Sequence, residues 1–469
     1  MKSLYPLLKC PACGQDGGAY ALVEQALVCG TCDNRYVLLA DDIPWFFPDP
    51  EVSFLEWKSR FNGFLHINAS ERQGLKAALR DKRLSKLSQK RLRRLLQARQ
   101  QQRDTLVELL APLQLDARSF EDTDAANMLR SKIPKQQGLV SYYTNIFRDW
   151  AWDNGENEAA LEAVDGVLAP ALANGDGPGK TLTLGGGACR LPYDIHRRYA
   201  PALSVALDFN PLLLLVAAEM IRGRQLKVHE FPVAPLDQES FVTLRSCRAP
   251  EALGDSFHLL LADAMNPPFA SGSFDTVVTP WLIDIIPQNL RDFIPRVNRV
   301  LKKGGLWVNT GSLAFFHRDD AWCYSQDEVL ELVEKNGFEV VSVERRKLPY
   351  LQSPSSGHGR VESVLSFSAT KRRDTAAPPR FESLPEWILD AGMPVPDLAE
   401  LAFASGQYLL QAQALSAVDG KRSIAEIAAS FAGTYGLGVA EAEHAVKRIF
   451  TEAFEAHLRE KPSYLGGLE

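Results

Sequence analysis

TLTLGGGACRL, residues 181–191, is the stretch on which the fold turns. Leu182-Thr-Leu reads as a short apolar strand, Gly185-Gly186-Gly187 as a turn, and Arg190-Leu191 as the start of a helix. Glycine lets the backbone approach a ligand with no Cβ in the way, and the helix behind it offers free N–H groups. Gly185, Gly187 and Arg190 are therefore candidate cofactor contacts. The next apolar run, LSVALD (203–208), ends on Asp208, about twenty residues further on, where an acid can hold both hydroxyls of an adenosine ribose. A nicotinamide dinucleotide and S-adenosylmethionine (SAM) are served equally by these two features.

Three later strings separate them. LLADAM (260–265) reads as a strand end whose Asp263 can reach an adenine amino group. SFDTVVTPWLID (273–284) reads as a central strand with a catalytic edge. RVLKKGGLWV (299–308) reads as a helix end, a glycine turn and a new strand. In this order, glycine turn, acid, second acid, FDxVV and then LKxGGxW, the chain resembles class I SAM-dependent methyltransferases. The resemblance implies an α/β fold, a Rossmann-like sheet over residues 166–371. It also implies a closing antiparallel pair, for which 338–345 and 362–370 are the candidates.

The flanks narrow the resemblance. NIFRDW (145–150), the GGGACRL turn, WLID (281–284) and GLWVNTGSLAFFH (305–317) are similar to the carnosine N-methyltransferase family over roughly residues 86–370. The resemblance implies that Asn145 and Arg148 help hold SAM, Asp208 its ribose and Asp263 its adenine. It implies that Asp284 and His317 face the imidazole of a histidine-containing small molecule, peptide or protein. The chemistry is coherent: neutral imidazole is already a nucleophile, so alignment with the sulfonium methyl is the main requirement. A carboxylate accepting the other N–H fixes the tautomer and raises the basicity of the attacking nitrogen. Asp284 has a plain alternative as a helix N-cap, and His317 as a structural histidine near a strand end. The chain departs from the family at Cys189, where the family has a third turn glycine. It departs again at GHGRVE (357–362), where the family places tyrosines; His358 or Arg360 there can bind an acceptor's carboxylate or phosphate.

Outside this core, Cys10 and Cys13 pair with Cys29 and Cys32 as two CxxC knuckles fifteen residues apart. That spacing lets four thiolates converge on one structural Zn2+. Residues 1–50 resemble a Trm112-like zinc ribbon. Residues 51–165 read as a helical extension, 372–380 as a linker, and 381–469 as a helical domain resembling PqqD-like peptide-binding modules. Ser423 and Glu426 form a capping-box pattern in that domain. The resemblance implies a peptide or protein partner through it; a docking or dimerisation role stays equally open.

With 46% hydrophobic and 23% charged residues and a net charge of −6, the composition is that of a globular protein with no global pull toward nucleic acid. No apolar run is long enough for a membrane span or signal peptide, and a cytoplasmic location is expected. Residues 72–103 hold twelve Lys/Arg against the single acid Asp81, and read as one amphipathic helix with a solvated basic face. Two further readings stay open: an RNA methyltransferase, to which the basic stretch and the ribbon point, and a non-catalytic adaptor built on a relic fold.

Overall fold

In the computed structural model, the GGG turn sits at the centre of a seven-stranded sheet. The structure describes residues 3–17, 20–113, 138–172, 177–317, 319–376, 378–382, 384–389 and 392–455. Residues 114–137 of the expected helical extension and 456–469 of the expected C-terminal domain lie outside these. The chain divides into two compact units, Met1–Ser383 and Leu384–Glu469.

The first unit begins with a small antiparallel sheet in the order β1 (Tyr20–Val23), β2 (Ala26–Cys29), β3 (Arg35–Leu39), β4 (Ile43–Pro44). Helices α1 (Pro50–Ala78), α2 (Lys86–Leu109), α3 (Tyr143–Trp150) and α4 (Glu156–Ala171) follow. The basic stretch is thus not one helix. Asp81 accepts from the Arg83 N–H and closes a turn after α1, and the Ser85 hydroxyl caps α2 through the Ser88 N–H. Both residues favour such turns and caps over a helix interior.

From Lys180 onward, strands alternate with helices: β5 (Lys180–Leu184), α5 (Arg190–Tyr199), β6 (Leu203–Asp208), α6 (Pro211–Ile221). An antiparallel hairpin, β7 (Leu226–Glu230) and β8 (Thr243–Cys247), is inserted before β9 (Phe257–Leu261). Then come β10 (Phe274–Pro280), α7 (Leu290–Val300), β11 (Leu301–Ser312), α8 (Gln326–Lys335), β12 (Phe338–Tyr350) and β13 (Arg360–Lys371). The large sheet runs β12-β13-β11-β10-β5-β6-β9. Its neighbours are parallel except at β13, which is antiparallel to both β11 and β12.

Every residue of β6 and β9 is buried, as expected of strands covered on both faces. β12 instead alternates exposed and covered positions over most of its length, the mark of an edge strand. One continuous core joins Leu182, Val205, Leu260 and Trp307 of the sheet to Leu8, Leu27, Tyr36 and Phe46 of the N-terminal segment. The joint is made by backbone: the Phe46 N–H donates to the Leu261 carbonyl at 2.7 Å, and Lys9 N–H to Pro268 at 2.9 Å. The small sheet therefore occupies the β9 edge.

The second unit holds helices Ala399–Ser416, Ile424–Tyr435 and Val439–Phe454 around Ala414, Ile427, Phe431, Val446 and Ile449. Ser423 and Glu426 form a reciprocal capping box. No helix among the described residues is long and apolar enough to cross a membrane.

Candidate active site

The strand order reverses between β5 and β10, and open α/β sheets bind ligands at the carboxyl ends of the strands beside such a switch point. Gly185, Asp208, Asp263 and Asp284 all follow or close those strand ends. In the turn, the Gly187 N–H donates to Asp208 Oδ2 at 2.8 Å, and the Asn210 N–H to Oδ1 at 2.9 Å. A Cβ on Gly187 (φ +58°) would meet nothing within 4 Å, so the outer side of the turn is open. Burial pushes the Asp208 carboxyl up to about 6, opposed by its backbone N–H donors. Asp263 accepts from the Met265 N–H at 2.8 Å and from Asn266 Nδ2 at 3.2 Å.

Cys189, the residue in place of glycine, is buried in the left-handed region at φ +68°. That conformation costs a non-glycine residue, and here the surroundings hold it. Trp150 Nε1 on α3 donates to the Ala188 carbonyl at 2.8 Å. Arg190 Nε donates to Asp194 at 2.8 Å and its Nη1 to the Asp149 carbonyl at 2.9 Å. Arg190 thereby ties the turn to α3. Asn145 lies half-buried on the same helix. Arg148 bonds Asp149 at 2.8 Å and stands 5.2 Å from the Tyr350 ring centre and 6.0 Å from that of Trp281.

A second cluster forms past the end of β10. Asp284 is buried; its Oδ2 accepts from the Ala314 N–H at 3.0 Å, while its buried Oδ1 has no hydrogen-bond partner. Burial, and then the Glu362 charge, lift the Asp284 carboxyl to about 6, against the backbone N–H donors and the Ser312 hydroxyl, which lower it. Trp281 Nε1 donates to Glu362 Oε2 at 2.8 Å, and the Trp281 and Tyr350 rings lie 5.7 Å apart. The Arg360 guanidinium sits 4.6 Å from the Tyr350 ring centre and 2.8 Å from Glu362. Burial, and then the charges of Asp208, Tyr350 and Asp284, raise the Tyr142 hydroxyl.

His317 lies on the coil after β11, its ring 5.4 Å from Trp322 and 6.4 Å from Phe315. Among the described contacts none joins it to Asp284. His358 is exposed on the turn between β12 and β13. Tyr142, Tyr350 and Glu362 went unmarked in the sequence. For Tyr350 and Glu362 the one signal is alternation: Arg360 and Glu362 lie two residues apart on β13, opposite Tyr350 and Leu348 of β12.

In the N-terminal segment, the Sγ atoms of Cys10, Cys13, Cys29 and Cys32 all lie within 4.8 Å of one another. The Cys10–Cys32 and Cys13–Cys29 pairs are 3.7 and 4.0 Å apart. A tetrahedron of Zn–S bonds has sulfur–sulfur edges of about 3.8 Å. The donor set fits zinc.

Sheet order, glycine turn and strand-end acids together define a class I methyltransferase fold. The carnosine N-methyltransferase family model matches residues 126–372, just over half of the chain. The chain belongs to the carnosine N-methyltransferase family. A Dictyostelium discoideum carnosine N-methyltransferase is 25% identical over 171 residues, covering 33% of this chain and 36% of that protein. The match thus spans about a third of the relative's length. Among solved structures, YcgJ of Bacillus subtilis is 12% identical at a TM-score of 0.31, covering 45% of this chain and 99% of its own. M. jannaschii TYW2 in complex with AdoMet is 15% identical at 0.28, covering 47% and 78%. Values this low add nothing to the sheet order itself.

Proposed function

We propose that the protein is a SAM-dependent N-methyltransferase acting on an imidazole nitrogen of a histidine-containing small molecule, peptide or protein. The observation that carries this reading is the buried, unpartnered Oδ1 of Asp284 at the switch point. A buried carboxylate oxygen left without a donor is costly, and an imidazole N–H satisfies it. SAM, when bound, supplies an electrophilic methyl group. Asp208 would hold its ribose and Asp263 its adenine, with the turn at Gly185 and Gly187 and residues Asn145 and Arg148 around the rest. The Asp284 Oδ1 would accept one ring N–H and so leave the lone pair of the other nitrogen free to react. Methylation would make the ring cationic, and Asp284 would take up its N–H proton. A carboxyl titrating near 6 is matched to that transfer.

The four cysteines hold a structural Zn2+ in a Trm112-like ribbon, and the metal adds folding energy to a segment too small to hold itself together. The C-terminal unit is read as a PqqD-like module that recruits a peptide or protein substrate. The location is read as cytoplasmic.

The test incubates the protein with methyl-labelled SAM and histidine-containing dipeptides, and locates the label by mass spectrometry. Label on a ring nitrogen, lost in Asp284→Ala while SAM still binds, supports the reading. Label on another atom, or normal turnover by Asp284→Ala, sinks it.

A further inference from the structure

The segment after β13, expected as a plain linker, is docked along the first unit. The Arg372 N–H donates to the Gly337 carbonyl at 2.9 Å, and Asn298 Nδ2 on α7 donates to the Arg373 carbonyl at 3.0 Å. Further along, buried Arg296 on the same helix donates through Nη2 to the Pro379 carbonyl at 2.8 Å. Phe381, partly buried, then packs against the main core.

The side chain that receives this segment is Asn266. Its Oδ1 accepts the Phe381 N–H at 2.8 Å and Arg296 Nη1 at 3.2 Å. Its Nδ2 donates to the Phe381 carbonyl at 3.0 Å and to Asp263 Oδ2 at 3.2 Å. A side-chain amide offers two N–H donors and two acceptor lone pairs, and here all four are engaged. The reversed amide would set oxygen against two oxygens and nitrogen against two donors, so Asn266 has one orientation.

That orientation matters for Asp263. A carboxylate turns softly about its Cβ–Cγ bond, and a hydrogen bond to it is directional. The Met265 N–H holds Asp263 Oδ1 and Asn266 holds Oδ2, so together they fix the plane of the carboxylate. An asparagine amide turns as softly as a carboxylate. What fixes Asn266 in turn is the linker backbone at Phe381 and the guanidinium that also holds Pro379.

We propose that Asn266 is the positioning residue that sets Asp263 for the cofactor's adenine, and that the docked linker at residues 379–381 sets Asn266. This rests on the reading of Asp263 as the adenine acid and adds what orients it. Phe381 stands just before the second unit begins at Leu384, so the segment that carries that unit is also part of the cofactor site.

The test measures, by calorimetry on the full chain, the affinity for S-adenosylhomocysteine and for its 6-deamino analogue, in which hydrogen replaces the adenine amino group. The wild type prefers the amino compound by about thirtyfold, the worth of one hydrogen bond to a charged group. Asp263→Ala erases that preference. Asn266→Ala cuts it to about threefold by weakening the amino compound alone, because a carboxylate free to turn keeps only part of the bond. The unchanged affinity for the deamino analogue shows that the site is still folded. Phe381→Ala narrows the preference in the same sense and adds nothing in an Asn266→Ala background. A preference kept by Asn266→Ala but erased by Asp263→Ala overturns the proposal and leaves the adenine reading standing. So does an equal loss of both compounds in Asn266→Ala, or a preference that Phe381→Ala leaves untouched. A wild type with no preference removes the adenine reading itself, and the proposal with it.

Discussion

Asp208 and Asp284 both stay protonated up to about pH 6 because burial disfavours their charged forms. Between the unfolded carboxyl value near 4 and about 6, the folded chain therefore binds more protons than the unfolded one. Stability of the ligand-free protein falls as pH rises through that window, and stays lower above it. On the proposed reading ligand binding runs the other way, since Asp208 would hold the ribose hydroxyls in its ionised form. SAM affinity is expected to be about tenfold weaker near pH 5 than near pH 7.5, a dependence that Asp208→Asn flattens. Calorimetry at the two pH values checks this, and a flat profile in the wild type contradicts it. At Asp284, replacement by Ala is expected to slow transfer about a hundredfold or more, the usual worth of a positioned general base. Gly311→Ala is expected to lower turnover with SAM affinity kept, because its methyl collides with the Trp281 backbone rather than with the cofactor side. Steady-state kinetics beside calorimetry separates the two quantities.

Asp208, Asp263 and Asp284 were legible in sequence because each closes a local string that announces its own strand end. Glu362 and Tyr350 were not. Their meeting with Trp281 depends on the β12–β13 register and on a left-handed residue at 281, neither of which a local pattern encodes. His317, by contrast, is marked only by its string, and its ring contacts are Trp322 and Phe315.

At the scale of elements, the seven main strands followed from apolar runs and turn residues. The β7–β8 hairpin did not, because β8 is short and mostly uncovered (TLRSC) and carries no apolar alternation. The hairpin explains the basic stretch. Arg99 stacks 3.8 Å from the Phe231 ring centre and Arg91 5.0 Å from that of Phe241. Arg94 donates to the Gln238 carbonyl at 2.6 Å. These three arginines pack α2 onto the hairpin, which leaves less of the basic face for a nucleic-acid backbone. The small sheet was legible as a cysteine framework, but its backbone pairing to β9 was not. Segments 7–9 and 45–46 bond to Leu261 and to residues 268–270, on either side of Asp263. Metal removal by a strong chelator is therefore expected to loosen more than β1–β4. Amide exchange should quicken over residues 261–270, and SAM affinity should drop, with recovery on adding Zn2+. Exchange that quickens only within residues 3–47 would confine the metal to its own segment.

At the scale of the whole molecule, the break after Ser383 separates two cores that are each complete in kind. The first closes around the sheet and includes Leu27, Tyr36 and Phe46 of the N-terminal segment, so that segment and the sheet share one core. The second is three helices packed through Ile427, Phe431, Val446 and Ile449, with a capping box at one helix start and Gly436 in the left-handed region at that helix's end. Capping box, apolar core and terminal glycine make this unit locally self-consistent, the condition for folding alone. Along the helix Ala399–Ser416, Phe403 and Tyr408 remain about 70% exposed. A chain ending at Ser383 should therefore keep the SAM affinity of the full protein, because every residue of both clusters lies before the break. It should lose rate only on acceptors that carry their histidine in a longer peptide, and the loss should appear in KM rather than kcat, since a recruiting module contributes binding and no group at the reacting atoms. Measuring kcat and KM for a dipeptide and a peptide acceptor, with and without residues 384–469, decides it. Equal loss on both acceptors would mean that the C-terminal unit supports the fold of the first rather than the choice of substrate.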